Sequence, residues 1–404
     1  MNKILGLFAA AVFSLGASAA QAQFSDNKVK IGVLDDFSGQ FCLGNCMGPV
    51  NAVRIAADEF HNKIGDVPIE IIWGDHQNKP DIGVSLANKW YDLEQVDVIV
   101  DVVNSSVALA VQNIARSKNK AVLYSTAGSS DLTGKQCAPY SAHWTYDTYQ
   151  FGKTIGEAVP YLGKSWFIVA TDFAYGKILA TQIKANVEKA GGKVLGTIFH
   201  PFNVNDASSF ILQAQASKAD VIALANSGND MTNTIKAAKE FGLVDSGVKI
   251  VPISLDLPFV EQQGGLNVVG GMFLPLPWYP GATGEKGLAY SKEFQKRQGT
   301  PAPYLFVGLY SAVRTYLLAA QATKTDNPKS IFDYMRAHVI DDAFTKHGVL
   351  RPDGRMVHDV YLMQLKKPSE SKGPDDLSKL IATIPGDKAF RPMAEGGCPY
   401  IKAN

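Results

Sequence analysis

From Val29 to Ile253 the chain alternates short, mainly apolar runs with stretches whose apolar residues recur at helical spacing. Val29–Leu34, Pro68–Trp73, Val96–Val103 and Ala121–Tyr124 are the first runs, separated by helical stretches at 49–62, 81–93 and 107–117. Val50, Val53, Ala57 and Phe60 mark one face of the first helix. A strand that is apolar on both sides must be covered on both faces, and a helix between successive strands makes them parallel. The alternation then restarts, with helices at 149–161, 176–190, 207–217 and 230–241 and strands at 165–170, 193–199, 220–224 and 248–253. This predicts two similar α/β halves rather than a short-period repeat.

A further strand at 270–274 precedes Pro275, Pro277 and Pro280, where the character changes. Helices follow at 285–298, 304–322 and 330–337, then short strands near 348–350 and 359–364 and a polar, Pro-rich tail. The second half therefore reads as inserted into the first, with more than one crossing. The expected division is 23–147 with 275–354, then 148–274 with 355–375, and a tail over 376–404. Two lobes joined in this way enclose a cleft, a favoured place for a small molecule, and can close on it by a hinge motion.

Residues 1–22 read as a cleavable secretory leader: a basic start at Lys3, an apolar stretch from Ile4 to Leu15, and Ala20-Gln21-Ala22 as the cleavage site. The expected location is the periplasm. Lys and Arg (39) balance Asp and Glu (38), which argues against nucleic acid as a partner. Four cysteines in an oxidising compartment point to two disulfides. Three pairings are possible. Cys42 and Cys46 are close enough to pair across a Gly-Asn turn, which leaves Cys137 for Cys398, a bridge holding the tail to the middle of the chain.

Two strands end in hydroxyl clusters, Asn104-Ser105-Ser106 and Ser125-Thr126-Ala127-Gly128-Ser129-Ser130. Ligands bind at the carboxyl ends of parallel strands, and hydroxyls with backbone N–H groups at a helix start can hold an anion. No nucleophile elbow, phosphate loop or zinc-protease motif is present, so the expectation is a binding protein without cofactor or metal, not an enzyme. The histidines lack metal-ligand spacing. His61, His76 and His200 read as surface or strand-end residues, and His143 as structural.

These stretches, with Ile31-Gly32-Val33-Leu34-Asp35-Asp36-Phe37-Ser38-Gly39 and Asp172-Phe173-Ala174-Tyr175-Gly176, occur in an order that resembles the periplasmic substrate-binding proteins of ABC importers, leucine/isoleucine/valine-binding type. The resemblance implies a type I periplasmic binding protein, with two Rossmann-like lobes, a multi-strand hinge and delivery of ligand to a membrane permease, usually as a monomer. By the same resemblance, Ser105 holds the ligand carboxylate, with Asn104 beside it in the same turn. Thr126 and Gly128, flanking Ala127, complete the carboxylate and amino contacts, and Tyr175 closes from the second lobe. The family commonly has Ala-x-Thr where this chain has Thr-x-Gly, and Ser129 is placed to supply the displaced hydroxyl.

An α-ammonium also needs an acidic partner, which in the family follows the strand equivalent to 248–253. Asp256 is the candidate, with Asp230 as second choice. Aromatic residues at the crossings, among them Trp144, Tyr146, Tyr149 and Trp278, together with Phe41, offer surfaces for an apolar ligand. The expected ligand is a small carboxylate: a branched-chain or other hydrophobic amino acid, or else an aromatic or aliphatic acid without an amine. A sensing subunit would use the same fold and cleft.

Overall fold

The computed structural model describes residues 24–42, 46–373 and 376–401; the leader expected at 1–22 lies outside them. The first sheet contains β1 (Val29–Asp35), β2 (Lys63–Ile64), β3 (Val67–Asp75), β4 (Val98–Asp101), β5 (Ala121–Tyr124) and β6 (Ser141–His143), in the order β2-β3-β1-β4-β5-β6. All its pairs are parallel except β2 with β3. Alternate residues feed two separate cores, as a strand's two-residue period requires. Ile31, Val33, Val98, Val100 and Leu123 face one side, and Leu34, Ile99, Val122 and Tyr124 the other. Gly32 is obligatory here, because a β-carbon would come within 2.6 Å of the Trp90 ring.

The second sheet contains β7 (Ser165–Thr171), β8 (Lys193–His200), β9 (Val221–Ala225) and β10 (Lys249–Pro252), all parallel, in the order β10-β9-β7-β8. The chain then forms β11 (Phe273–Leu276) beside it. Helices Glu285–Gln298, Tyr304–Thr323 and Pro328–Ala337 follow, the second of them packed on Gly48–Asp58 of the first lobe. A short hairpin, β12 (Val349–Leu350) with β13 (Met356–Val357), leads to β14 (Val360–Leu365) and β15 (Ser378–Ile384), which complete an antiparallel sheet in the order β11-β14-β15. Two α/β lobes result, with the chain passing between them after β6, after β11 and before β14.

The structure differs from the sequence reading in several places, among them the short strands β2 and β6, which the reading lacks. The tail carries an edge strand, β15, whose exposed, partly polar residues give little apolar signal. The strand expected at 270–274 is displaced to 273–276. His76 and His200 do lie at strand ends but are fully buried rather than surface residues. Both disulfides form as expected, Cys42 with Cys46 and Cys137 with Cys398, at Cα–Cα distances of 4.9 and 5.6 Å.

Candidate functional site

The lobes meet around a cavity of about 100 Å³. Asp35, Val103 and Thr126 line it from the strand ends of the first lobe; Tyr175, Gly228 and Ser254 line it from the second. Tyr146 and Tyr304 complete the wall, their rings edge to face at 5.7 Å.

Asn104 is the N-cap of the helix Ser105–Lys118, its Oδ1 accepting the N–H groups of Ser106 and Val107 at 2.9 and 3.3 Å. Ser105 follows as the first helical residue, and its Oγ accepts the Gly128 N–H at 3.3 Å. This bond ties the two hydroxyl-rich strand ends together. Gly128 itself is covered by Tyr175: a β-carbon there would lie 2.5 Å from the tyrosine ring. The Tyr175 hydroxyl is hydrogen-bonded to Ser254 within its own lobe. Burial pushes the phenol well above its ordinary range, so Tyr175 enters the cleft as a neutral phenol.

The remaining candidates are engaged elsewhere. The Thr126 hydroxyl donates to Asp101 Oδ1 at 2.6 Å, and the Thr126 carbonyl accepts the Tyr146 hydroxyl at 2.6 Å. The Ala127 carbonyl accepts Nε2–H of His143 at 2.6 Å. Ser129 caps a short turn through the Asp131 N–H. Asp256 is buried, with its two oxygens accepting the N–H groups of Leu257 and Tyr304 at 2.7 and 2.6 Å. Desolvation pushes its carboxyl up to about 7. Asp230 holds the loop after β8 through the N–H groups of Asn203 and Val204. Tyr149 is half-buried near Glu395 and Arg391 of the tail. Trp278 donates its indole N–H to Ala343 O at 2.9 Å and lines a separate cavity near the hinge. Ser105, Thr126, Gly128 and Tyr175 are therefore brought together, with Thr126 and Tyr175 lining the cavity and Ser105 and Gly128 adjoining them without lining it, whereas Tyr149, Trp278, Asp230 and Asp256 are not.

Sequence reasoning missed Asp35, Ser254 and Tyr304. Asp35 carried a usable signal, an acid at the carboxyl end of a buried strand. Tyr304 carried none, since only the packing of its helix brings it to the cleft.

A family model for periplasmic binding proteins matches residues 28–374. A periplasmic binding protein from Burkholderia mallei superposes with a TM-score of 0.89 at 38% identity, covering 93% of this chain and 100% of that one. A branched chain amino acid ABC transporter periplasmic ligand-binding protein from Burkholderia xenovorans LB400 gives 0.81 at 34%, covering 92% and 100%. Leu/Ile/Val-binding protein homolog 6 of Brucella melitensis is 29% identical, over 81% of this chain and 84% of its own length. With two α/β lobes closed on a small cavity, this chain belongs to the periplasmic binding protein family.

Proposed function

We propose that the protein is the solute-capturing component of an ABC importer, working outside the cytoplasmic membrane, and that its ligand is a small carboxylate without an α-ammonium group. One observation carries the second part: the groups expected to receive an ammonium are spent or missing. Asp256 is turned to two backbone N–H groups and lines a separate cavity, the Thr126 carbonyl already accepts the Tyr146 hydroxyl, and Gly128 stands where the resemblance expects a hydroxyl. An ammonium buried without partners is strongly disfavoured, whereas an apolar tail suits the aromatic wall. Ser105 and the neighbouring backbone N–H groups are the proposed carboxylate contacts.

A hydrophobic amino acid is the second reading. Asp35 and Asp36 both line the cleft; Asp36 already accepts the Gly39 and Phe41 N–H groups and the Asn78 amide, so Asp35 is the acid better placed to meet an ammonium there. A thermal-shift panel separates the two, since a ligand that binds only the folded state raises the melting temperature. Leucine, valine and phenylalanine are compared with their 2-oxo acid counterparts, benzoate and short aliphatic acids. Shifts confined to the amine-free acids are expected. Shifts confined to the amino acids favour the second reading, and no shift from any carboxylate sinks both.

A further inference from the structure

At the floor of the cleft two carboxyl groups meet without a cation. Asp35 ends β1 and Asp101 ends the neighbouring β4, paired in register with Leu34. Asp101 Oδ1 accepts the hydroxyls of Ser125 and Thr126 at 2.7 and 2.6 Å. Its Oδ2 accepts no hydrogen bond among the described residues, and the Asp35 carboxyl is close enough to the Asp101 carboxyl for the two to interact directly. Asp35 Oδ1 accepts the Val103 N–H at 3.0 Å.

The backbone is strained to make this meeting. Asp101 and Val102 have φ of +82° and +62°, a region that costs a non-glycine residue about 1–3 kcal/mol and is least tolerated by a β-branched one. Such strain persists where the surroundings enforce it, commonly at a ligand site.

The groups around the pair do not neutralise it. Asp36, just after β1, and Asp75, at the end of β3, are acidic neighbours that act on His76. Tyr146 from the first crossing and Tyr175 from the other lobe are neutral phenols. The nearest basic group, His76 Nε2, lies 3.9 Å from Asp35 Oδ1, is fully buried and has no hydrogen-bond partner. Burial holds that imidazole down at about 4, so it is uncharged at neutral pH. Neither carboxyl is ion-paired with a lysine or arginine among the described residues. Burial first, and then the Asp101 charge, push Asp35 well above the usual carboxylate range.

We infer that the Asp35–Asp101 pair is a proton-holding part of the ligand site, and that capture of a carboxylate in the cleft is linked to a proton kept on, or taken up by, this pair. The inference rests on the carboxylate reading of the cleft. An anion arriving beside the pair disfavours its ionisation, so a proton moves from solvent onto one of the two carboxyls as the ligand binds. The protonated Asp35 faces the cleft and can donate its O–H to the ligand. An ammonium would have the opposite effect, expelling a proton from the pair.

The test uses 4-methyl-2-oxopentanoate, which is leucine with a carbonyl in place of its amine-bearing carbon, in calorimetric titrations in two buffers of different ionisation heat. Affinity should fall as pH rises between about 5.5 and 8.5, by at most about tenfold per unit, with proton uptake seen as a buffer-dependent heat. Asp35→Asn and Asp101→Asn should flatten the profile. Affinity independent of pH in the wild type, or the same slope in Asp35→Asn, would overturn the inference and leave the carboxylate reading standing. Should the asparagine variants not fold, the wild-type proton count decides. If the probe does not bind, the infrared spectrum of the unliganded protein decides instead: a protonated-carboxyl band at neutral pH supports the pair, and its absence rules the pair out. Leucine binding with proton release would also count against it.

Discussion

The carboxylate of Asp256, just beyond the second-lobe strand β10, accepts the N–H of Tyr304, first residue of a helix that packs in the first lobe, at 2.6 Å. The residue expected to hold a ligand ammonium instead caps a helix across the lobe boundary. The preceding Pro303 has no capping side chain, so the helix takes its cap from the opposite lobe. An acid at a helix N-terminus is also favoured by the helix dipole.

This contact helps hold the lobes closed. Asp256→Ala removes it, and a lost cap costs about 0.5–2 kcal/mol. Because that energy is available only when the lobes meet, it comes out of ligand affinity. The expected effect is a weakening of about 2- to 30-fold. Small-angle scattering should show the unliganded variant shifted toward a more open shape; unchanged affinity and shape would contradict the capping role.

Gly128 is the second such contact. With Tyr175 at its surface there is no room for a methyl group, and overpacking a tight contact costs about 1–3 kcal/mol. Gly128→Ala should lower ligand affinity by about 5- to 150-fold while leaving the melting temperature of the unliganded protein nearly unchanged, since the clash arises on closure. Pairing it with Tyr175→Ala should recover part of the loss if the two residues act through one another.

Ser105→Ala separates ligand contact from local scaffolding. The Ser105 hydroxyl accepts the Gly128 N–H, and in the proposed site its proton is donated to the ligand carboxylate. Losing a hydrogen bond to a charged group costs about 1.5–3 kcal/mol, so titration should show affinity reduced by about 10- to 150-fold. Asn104, the actual cap, is retained, and the helix should stay folded by circular dichroism.

The lobes and most helices could be read from the chain because their central strands, β4, β5 and β9 among them, are largely apolar and buried on both faces. Glu285–Gln298 was read with its observed ends, and Tyr304–Thr323 to within one residue. Strand β15 could not be read in that way, since it is an edge strand with few buried residues. Near the cleft, the position of Ser105 was legible from its strand-to-helix turn and that of Tyr175 through the family resemblance, and the two lie on either side of Gly128. The engagement of Asp256 was not, because its partner Tyr304 is 48 residues away. The Asp35–Asp101 contact depends on two left-handed residues, Asp101 and Val102, whose types favour other conformations.

The hinge depends on a buried arginine. Arg355 donates through Nη1 to Tyr146 O at 3.0 Å and to Asp147 Oδ2 at 3.3 Å, through Nε to Met356 O at 2.9 Å, and through Nη2 to Trp144 O. Its guanidinium also stacks over the Phe390 ring at 4.4 Å, and burial lowers it to about 10. Removing one partner of a buried pair costs about 3–5 kcal/mol, because the other charge is left unpaired. Arg355→Met should therefore lower the urea midpoint strongly, and adding Asp147→Asn should restore part of the loss.

Two sets of buried groups should tilt the stability profile in opposite directions with pH. His76 and His143 are held at about 4 and about 3, chiefly by burial, with Arg355 adding to the effect on His143. Their contribution is present above about pH 6.5, where the unfolded imidazole is neutral, and is lost as pH falls toward the folded values. Asp97 and Asp256 are raised to about 7 by burial; their contribution is present below about pH 3.9 and is lost as pH rises through 7. The two trends offset each other between about pH 4 and 6.5, so the wild-type profile should be shallow there. Asp97 is 4% exposed, and its Oδ2 accepts the Lys30 N–H, a bond that asparagine can keep through its carbonyl. Asp97→Asn removes one titrating group without emptying its site. Its stability relative to the wild type should increase by a few kcal/mol, at most about 4, from pH 4 to pH 8. Urea denaturation at several pH values measures this difference, and a constant offset between the two proteins would show that Asp97 ionises at the same pH folded and unfolded.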